Sequence, residues 1–157
     1  MDLIGKPTIH PVLFYSGKLA GYFTWAALIL ALSKAMPMAG KSLLPLVYVS
    51  FPVMAIAAAL ILFSLIHLGG ATRLGLPKED TVLKTAGVYK WSRNPMYLGF
   101  DLLTLASMMF TQLPSVIIAG VYSICIYHLI IRSEERFLEK RFGEDFRQYR
   151  RATRRYL

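Results

Sequence analysis

The segment Leu44–Leu68 reads LPLVYVSFPVMAIAAALILFSLIHL and contains no Asp, Glu, Lys or Arg. At about 1.5 Å per residue, a helix of that length exceeds the ~30 Å hydrocarbon thickness of a bilayer. A helix at the surface of a water-soluble protein keeps a polar stripe over such a length, and this stretch has none. It reads as a membrane span, with Pro52 placed to kink it near one end. The charge-free run extends beyond it on both sides, from Ser42 to Thr72.

The rest of the chain is consistent with that reading. Of its 157 residues, 55% are hydrophobic and only 17% charged, and the mean hydropathy is +0.48. Soluble domains carry about a quarter charged residues, because their surface must be solvated. The length fits one domain, 1–157. Cys125 is the single cysteine, which excludes a disulfide framework, a thiolate zinc cage and a CxxC redox pair. No metal-ligand spacing links His67, Cys125 and His128, so they read as packing residues and no metal is expected.

Outward from the first span, an earlier apolar run continues over about 19–36 once Lys34 snorkels. It has neither a basic lead nor a small-residue cleavage pattern, so it reads as a retained helix and not a signal peptide. Residues 1–15, with Pro7 and Pro11, read as an interfacial lead-in. Between Arg93 and Arg132 only Asp101 is charged, yet the 38 residues would make a helix of about 57 Å, too long for one span. Thr111-Gln112-Leu113-Pro114-Ser115 reads as a turn within it, giving two short spans at about 97–110 and 115–131. The expectation is an all-α integral membrane protein: four transmembrane helices, the last two forming a short C-terminal helical hairpin.

Basic residues give the orientation. With four spans, sixteen Lys and Arg fall on the side of both termini and the 69–96 loop, and only Lys34 and Lys41 on the other. The positive-inside rule then makes both termini cytoplasmic, and it explains the net charge of +9 without any nucleic acid. In the tail, 132–157, apolar residues recur at helical spacing at Phe137, Leu138, Phe142, Phe146 and Tyr149. Gly143 suits a C-cap, and Glu144-Asp145 suit a new N-terminus. Two amphipathic helices on the cytoplasmic surface are expected.

Three polar groupings adjoin the membrane. Residues 87–99, GVYKWSRNPMYLG, place glycines, aromatics, Arg93 and Asn94-Pro95 where a span begins. Such residues also form ordinary interface belts, and Asn94-Pro95 would equally serve as helix cap and first-turn proline. Glu134-Glu135 put two carboxylates beside the bilayer, which costs desolvation energy unless cations answer them. The plainer alternative is a solvated helix pairing Glu135 with Arg132, or Glu139 with Arg136. Asp101, one helical turn after Tyr97 and on the same face, is an acid within a span and so a functional candidate.

The run GVYKWSRNPMYLG, followed by SEERFLEKRFGEDFRQYRR, resembles the isoprenylcysteine carboxyl methyltransferase family and its relatives among membrane phospholipid methyltransferases. That family shows Gly-x-Tyr and Arg-His-Pro-x-Tyr-x-Gly before a helical hairpin, then E-E-x-x-L-x-x-x-F-G-x-x-Y/F-x-x-Y after it. The second pattern matches here at Glu134, Glu135, Leu138, Phe142, Gly143, Phe146 and Tyr149. The first departs at Asn94, where the family has histidine; Asn keeps a donor and an acceptor but cannot titrate. The resemblance covers about 73–157.

It implies an S-adenosylmethionine-dependent membrane methyltransferase acting on a lipidic acceptor, such as the carboxylate of a prenylated cysteine. The implied cofactor-binding residues are Thr81, Val82, Leu83, Lys84, Tyr89, Asn94, Pro95, Met96, Tyr97, Glu134 and Glu135. Arg132 is the candidate for substrate contact, and Asp101 for accepting a proton if the acceptor is an amine. The chain has no GxG, so no dinucleotide fingerprint competes with this reading. Three alternatives stand beside this reading. One is a phospholipid amine N-methyltransferase. Another is an NADPH-dependent membrane sterol reductase, which Met96 and Phe100 disfavour because those enzymes show Asn and Glu there. The last is a small four-span transporter coupled through Asp101. The short chain suggests a prokaryotic cytoplasmic membrane, with membrane lipids as neighbours.

Overall fold

A computed structural model describes residues 9–36, 43–68 and 82–157. Its elements are α1 (Pro11–Leu32), α2 (Leu44–Leu68), a 3-10 turn (Gly87–Lys90), α3 (Pro95–Thr111), α4 (Pro114–Phe142) and α5 (Glu144–Ala152). No strand occurs among the described residues. Proline opens α1, α3 and α4, where its fixed φ is already helical and its missing N–H has no intrahelical partner to lose. The turn between α3 and α4 closes at Gln112, which adopts a left-handed φ of 54° and donates its N–H to the Met108 carbonyl.

Helix packing depends on small side chains. α2 buries only Ser50, Ala57 and Ser64, seven residues apart and so in one stripe. Against that stripe lies Gly99 of α3, where an added Cβ would stand 3.1 Å from the Ala57 carbonyl oxygen and 2.7 Å from Ile61 Cγ1. α1 meets α4 in the same manner: Gly17 sits directly on Ile126, and Ser123 Oγ donates to the Gly17 carbonyl at 2.9 Å. Trp25 Nε1 donates to Thr104 Oγ1 at 3.0 Å, tying α1 to α3. Close backbone approach with interhelical hydrogen bonds is how helices associate where lipid removes the hydrophobic drive.

Outside that stripe, α2 turns Phe51, Ile56, Leu62, Phe63 and Ile66 outward. An apolar surface of this extent is rare on a monomer in water and suits lipid. α2 and α4 are each long and apolar enough to cross a membrane. α4, at 29 residues, is about 44 Å long, so one end projects well beyond a ~30 Å core.

Three boundaries differ from the sequence expectation. α1 begins at Pro11, ahead of residue 19, and ends at Leu32, just before Lys34 takes a positive φ of 62°. Residues 11–15 are therefore helix and not lead-in. The fourth apolar segment and the first amphipathic tail helix are one continuous α4, because nothing between Ile131 and Phe142 breaks a helix. Only Gly143, with φ 53°, separates α4 from α5.

Candidate functional site

The site forms where the C-terminal segment folds back on the approach to α3. Gly87 starts the 3-10 turn with φ +64° and lies against the His67 imidazole, where any Cβ would collide. Tyr149 of α5 donates to the Tyr89 carbonyl at 2.6 Å, and Thr153 Oγ1 to the Lys90 carbonyl at 3.3 Å. The Arg93 amide donates to the Arg154 carbonyl at 3.0 Å, and Ser92 Oγ to the Arg155 carbonyl at 3.1 Å. These bonds clasp residues 149–155 onto 89–93.

Glu135 lies at the centre of the clasp. Its Oε1 accepts from Arg93 Nε at 3.1 Å and Nη2 at 2.9 Å, and from Asn94 Nδ2 at 3.2 Å. Its Oε2 accepts from Arg155 Nε at 2.9 Å and Nη2 at 2.7 Å. Burial pushes this carboxyl up, but the Arg155 and Arg93 hydrogen bonds and charges outweigh it and hold Glu135 below the usual carboxylate range. Asn94 makes no side-chain cap to α3; its amide spans Glu135 and, at 3.3 Å, the Arg155 carbonyl.

Glu134 faces a different environment. Its Oε1 accepts from the Tyr97 hydroxyl at 2.8 Å. Burial pushes its carboxyl up to about 7, against the opposing pull of the Tyr97 hydrogen bond and the charge of Lys18. Burial, with Glu134 nearby, raises the Tyr89 phenol to about 12, so it remains a neutral donor.

Both glutamates border one pocket. Val82, Leu83, Lys84, Tyr89, Asn94, Pro95, Met96 and Tyr97 line it with them. These are ten of the eleven cofactor residues expected from sequence; Thr81 lies outside the described residues. Leu68, Arg93, Phe137, Leu138, Phe146 and Tyr149 complete the wall. Glu134 is the pocket carboxylate with no arginine bonded to it among the described residues. The cavity thus offers an anion, aromatic faces and apolar walls, a set suited to an organic cation carrying a flat ring.

Arg132 and Asp101 are not in that wall. Arg132 is exposed, because α4 runs on unbroken and turns it outward. Asp101 lies one turn deeper along α3 than Tyr97, with Oδ1 buried and without a hydrogen-bond partner among the described residues. The local pairings read from sequence are also replaced. Glu135 bonds Arg93 and Arg155, not Arg132, and Glu139 pairs with Arg147 and Arg150, not Arg136. Sequence reading missed Arg155 altogether, since no periodicity marks it. Arg93 stood inside the quoted motif without being assigned a role. His128 does more than pack, as its Nδ1 lies 2.7 Å from the Tyr156 hydroxyl.

A family model described as phospholipid methyltransferase matches residues 45–145, about two-thirds of the chain. The chain belongs to the phospholipid methyltransferase family. Over 77 residues this family member is also 29% identical to protein-S-isoprenylcysteine O-methyltransferase of Dictyostelium discoideum, covering 48% of the chain and 32% of that protein. The chain therefore spans about a third of the length of the curated relative it matches. No solved structure matches it.

Proposed function

We propose that this family member is an integral membrane methyltransferase. In this reading a single domain of four spans, with both termini cytoplasmic, uses S-adenosylmethionine to methylate a lipidic acceptor. The observation that carries the reading is the convergence of residues from 82–84 and 89–97 with the distant pair 134–135 on one pocket beside the apolar part of α4. The donor set fits the cofactor. Glu134 matches its ammonium, the faces of Tyr89, Tyr97 and Tyr149 suit cationic centres, and Met96, Phe137, Leu138 and Phe146 offer an apolar bed for adenine.

The cofactor, when bound, supplies a methyl group on a sulfonium for in-line transfer. The protein's part is alignment and exclusion of water, for which the clasp over the pocket is suited. Glu135, engaged by two arginines, braces the wall of which it forms part. A carboxylate acceptor is already ionised at neutral pH and needs no base.

Calorimetric titration with S-adenosylhomocysteine tests the reading; no binding to well-folded, detergent-solubilised protein overturns it. The similarity to a protein-S-isoprenylcysteine O-methyltransferase favours a prenylated cysteine carboxylate as acceptor. The description of the family favours the second reading, a phospholipid amine. In that case Asp101, whose Oδ1 has no hydrogen-bond partner among the described residues, is the candidate to take the ammonium proton, from outside the pocket wall. Methyl-labelled cofactor offered with both acceptor types separates them: Asp101→Asn lowers transfer to an amine and leaves transfer to a carboxylate unchanged.

A further inference from the structure

Lys18 belongs to α1, outside the segment matched by the family model and outside the motifs near the pocket. Its side chain is nevertheless buried, at 8% exposure. Helical side chains lean toward the N-terminus. The Lys18 ammonium accordingly lies back over the ring of Phe14, one turn earlier, 4.1 Å from its centroid. Phe14 is fully buried in a cluster with Tyr97, Ile130 and Ile131. Tyr97 in turn donates to Glu134, one turn beyond Ile130 on α4. The chain of contacts Lys18–Phe14–Tyr97–Glu134 links an α1 cation to the pocket carboxylate, near enough for each charge to act on the other.

We propose that Lys18 is a positioning residue for Glu134, favouring the ionised carboxylate that meets the ammonium of the bound cofactor. The inference rests on the function proposed above and adds α1 to the site. The physical need is plain. A carboxylate taken from water into a mostly apolar pocket tends to keep its proton, and a neutral acid is a poor partner for an ammonium. A fixed cation reached through Phe14 and Tyr97 opposes that preference without occupying the face the ligand needs. Among the described residues, the other titratable or charged groups around Glu134 do not substitute for it. Tyr89 of the 3-10 turn, Tyr97 of α3 and Tyr149 of α5 are neutral phenols, and Arg93 is committed to Glu135. Lys84 lines the pocket from the loop and is exposed to solvent, which screens it. From α2 the pocket receives Leu68, which has no charge.

The test is calorimetric titration of S-adenosylhomocysteine across a pH series for wild type, Lys18→Met, Lys18→Arg and Glu134→Gln. Wild-type affinity falls as pH drops through the Glu134 midpoint. Lys18→Met moves that midpoint upward by about one pH unit, about a tenfold loss of affinity at a fixed pH below both midpoints. Lys18→Arg restores it, and Glu134→Gln binds weakly with no midpoint in this range. A Lys18→Met midpoint equal to that of wild type overturns the inference while leaving the proposed function intact, as does a loss of affinity equal at every pH. Failure of wild type to bind overturns both. Should Lys18→Met not fold, the isotope-labelled Lys18 Nζ resonance of wild type must shift with the Glu134 carboxyl titration, and a flat Nζ signal overturns the inference.

Discussion

The two sides of α4 at Glu134 and Glu135 are chemically identical in sequence and opposed in environment. On the clasp side, Glu135 is surrounded by five N–H donors from Arg93, Asn94 and Arg155. On the pocket side, Glu134 has the Tyr97 hydroxyl and the more distant charge of Lys18. A carboxylate saturated by protein donors holds structure together, and one left under-satisfied beside a cavity is available to a ligand. Consecutive helical residues lie about 100° apart, so adjacent glutamates are presented to different partners.

The strongest way to break this contrast is Glu135→Ala. It leaves buried Arg93, with a side chain 7% exposed, facing no counter-charge. A loss of about 3–5 kcal/mol is expected, read as an earlier unfolding midpoint in detergent. If Glu135→Ala unfolds like wild type, the clasp is not a stabilising element. Glu134→Gln should do the reverse: S-adenosylhomocysteine affinity falls at least about tenfold, roughly 1.4 kcal/mol, while the unfolding midpoint does not fall. A variant that loses stability but keeps affinity exchanges the roles of the two residues.

Acid sharpens the comparison, since the two carboxyls carry opposite linkage. Glu135 is held below its ordinary value of 4.5, so its stabilisation is present above that pH and lost as pH falls through the lower folded value. Glu134 is raised from 4.5 to about 7, so its contribution is present below pH 4.5 and is lost as pH rises through about 7. Stability measured against pH should therefore rise on leaving the acid range, then lose part of that gain toward neutrality. Glu134→Gln should remove the second slope and keep the first. A smaller effect follows from Asn94→Ala, which deletes one donor to Glu135 and one to the Arg155 carbonyl: about 1 kcal/mol of stability, by the same unfolding assay. Least of all, Arg132→Ala should stay within about 0.5 kcal/mol of wild type in stability, with unchanged ligand affinity, because its side chain is exposed and outside the pocket wall.

Much of the fold was legible because the signals are local. Leu44–Leu68 has the bounds read from its composition. The turn at Gln112-Leu113 and the break at Gly143 stand where Pro114 and the glycine place them. What was misread involves the edge of the membrane. The change from apolar to charged residues after Ile131 marks a change of solvent, and a backbone that satisfies its own hydrogen bonds need not end there. The start of α1 was missed for the same reason: Lys18 interrupts an apolar pattern without interrupting a helix.

By itself the sequence determined that the chain is helical and suited to lipid, and that its few acids cluster beside one loop, because hydropathy and proline or glycine positions act over a single turn. Only the tertiary structure decided which glutamate meets the arginines and which is left to the cavity, that Arg155 bonds Glu135, and that the charge of Lys18 is brought near Glu134. Those pairings join residues separated by 20 positions in one case and by more than a hundred in the other. Such distances are closed only when helices pack, and no periodicity in the sequence records which side chains then meet.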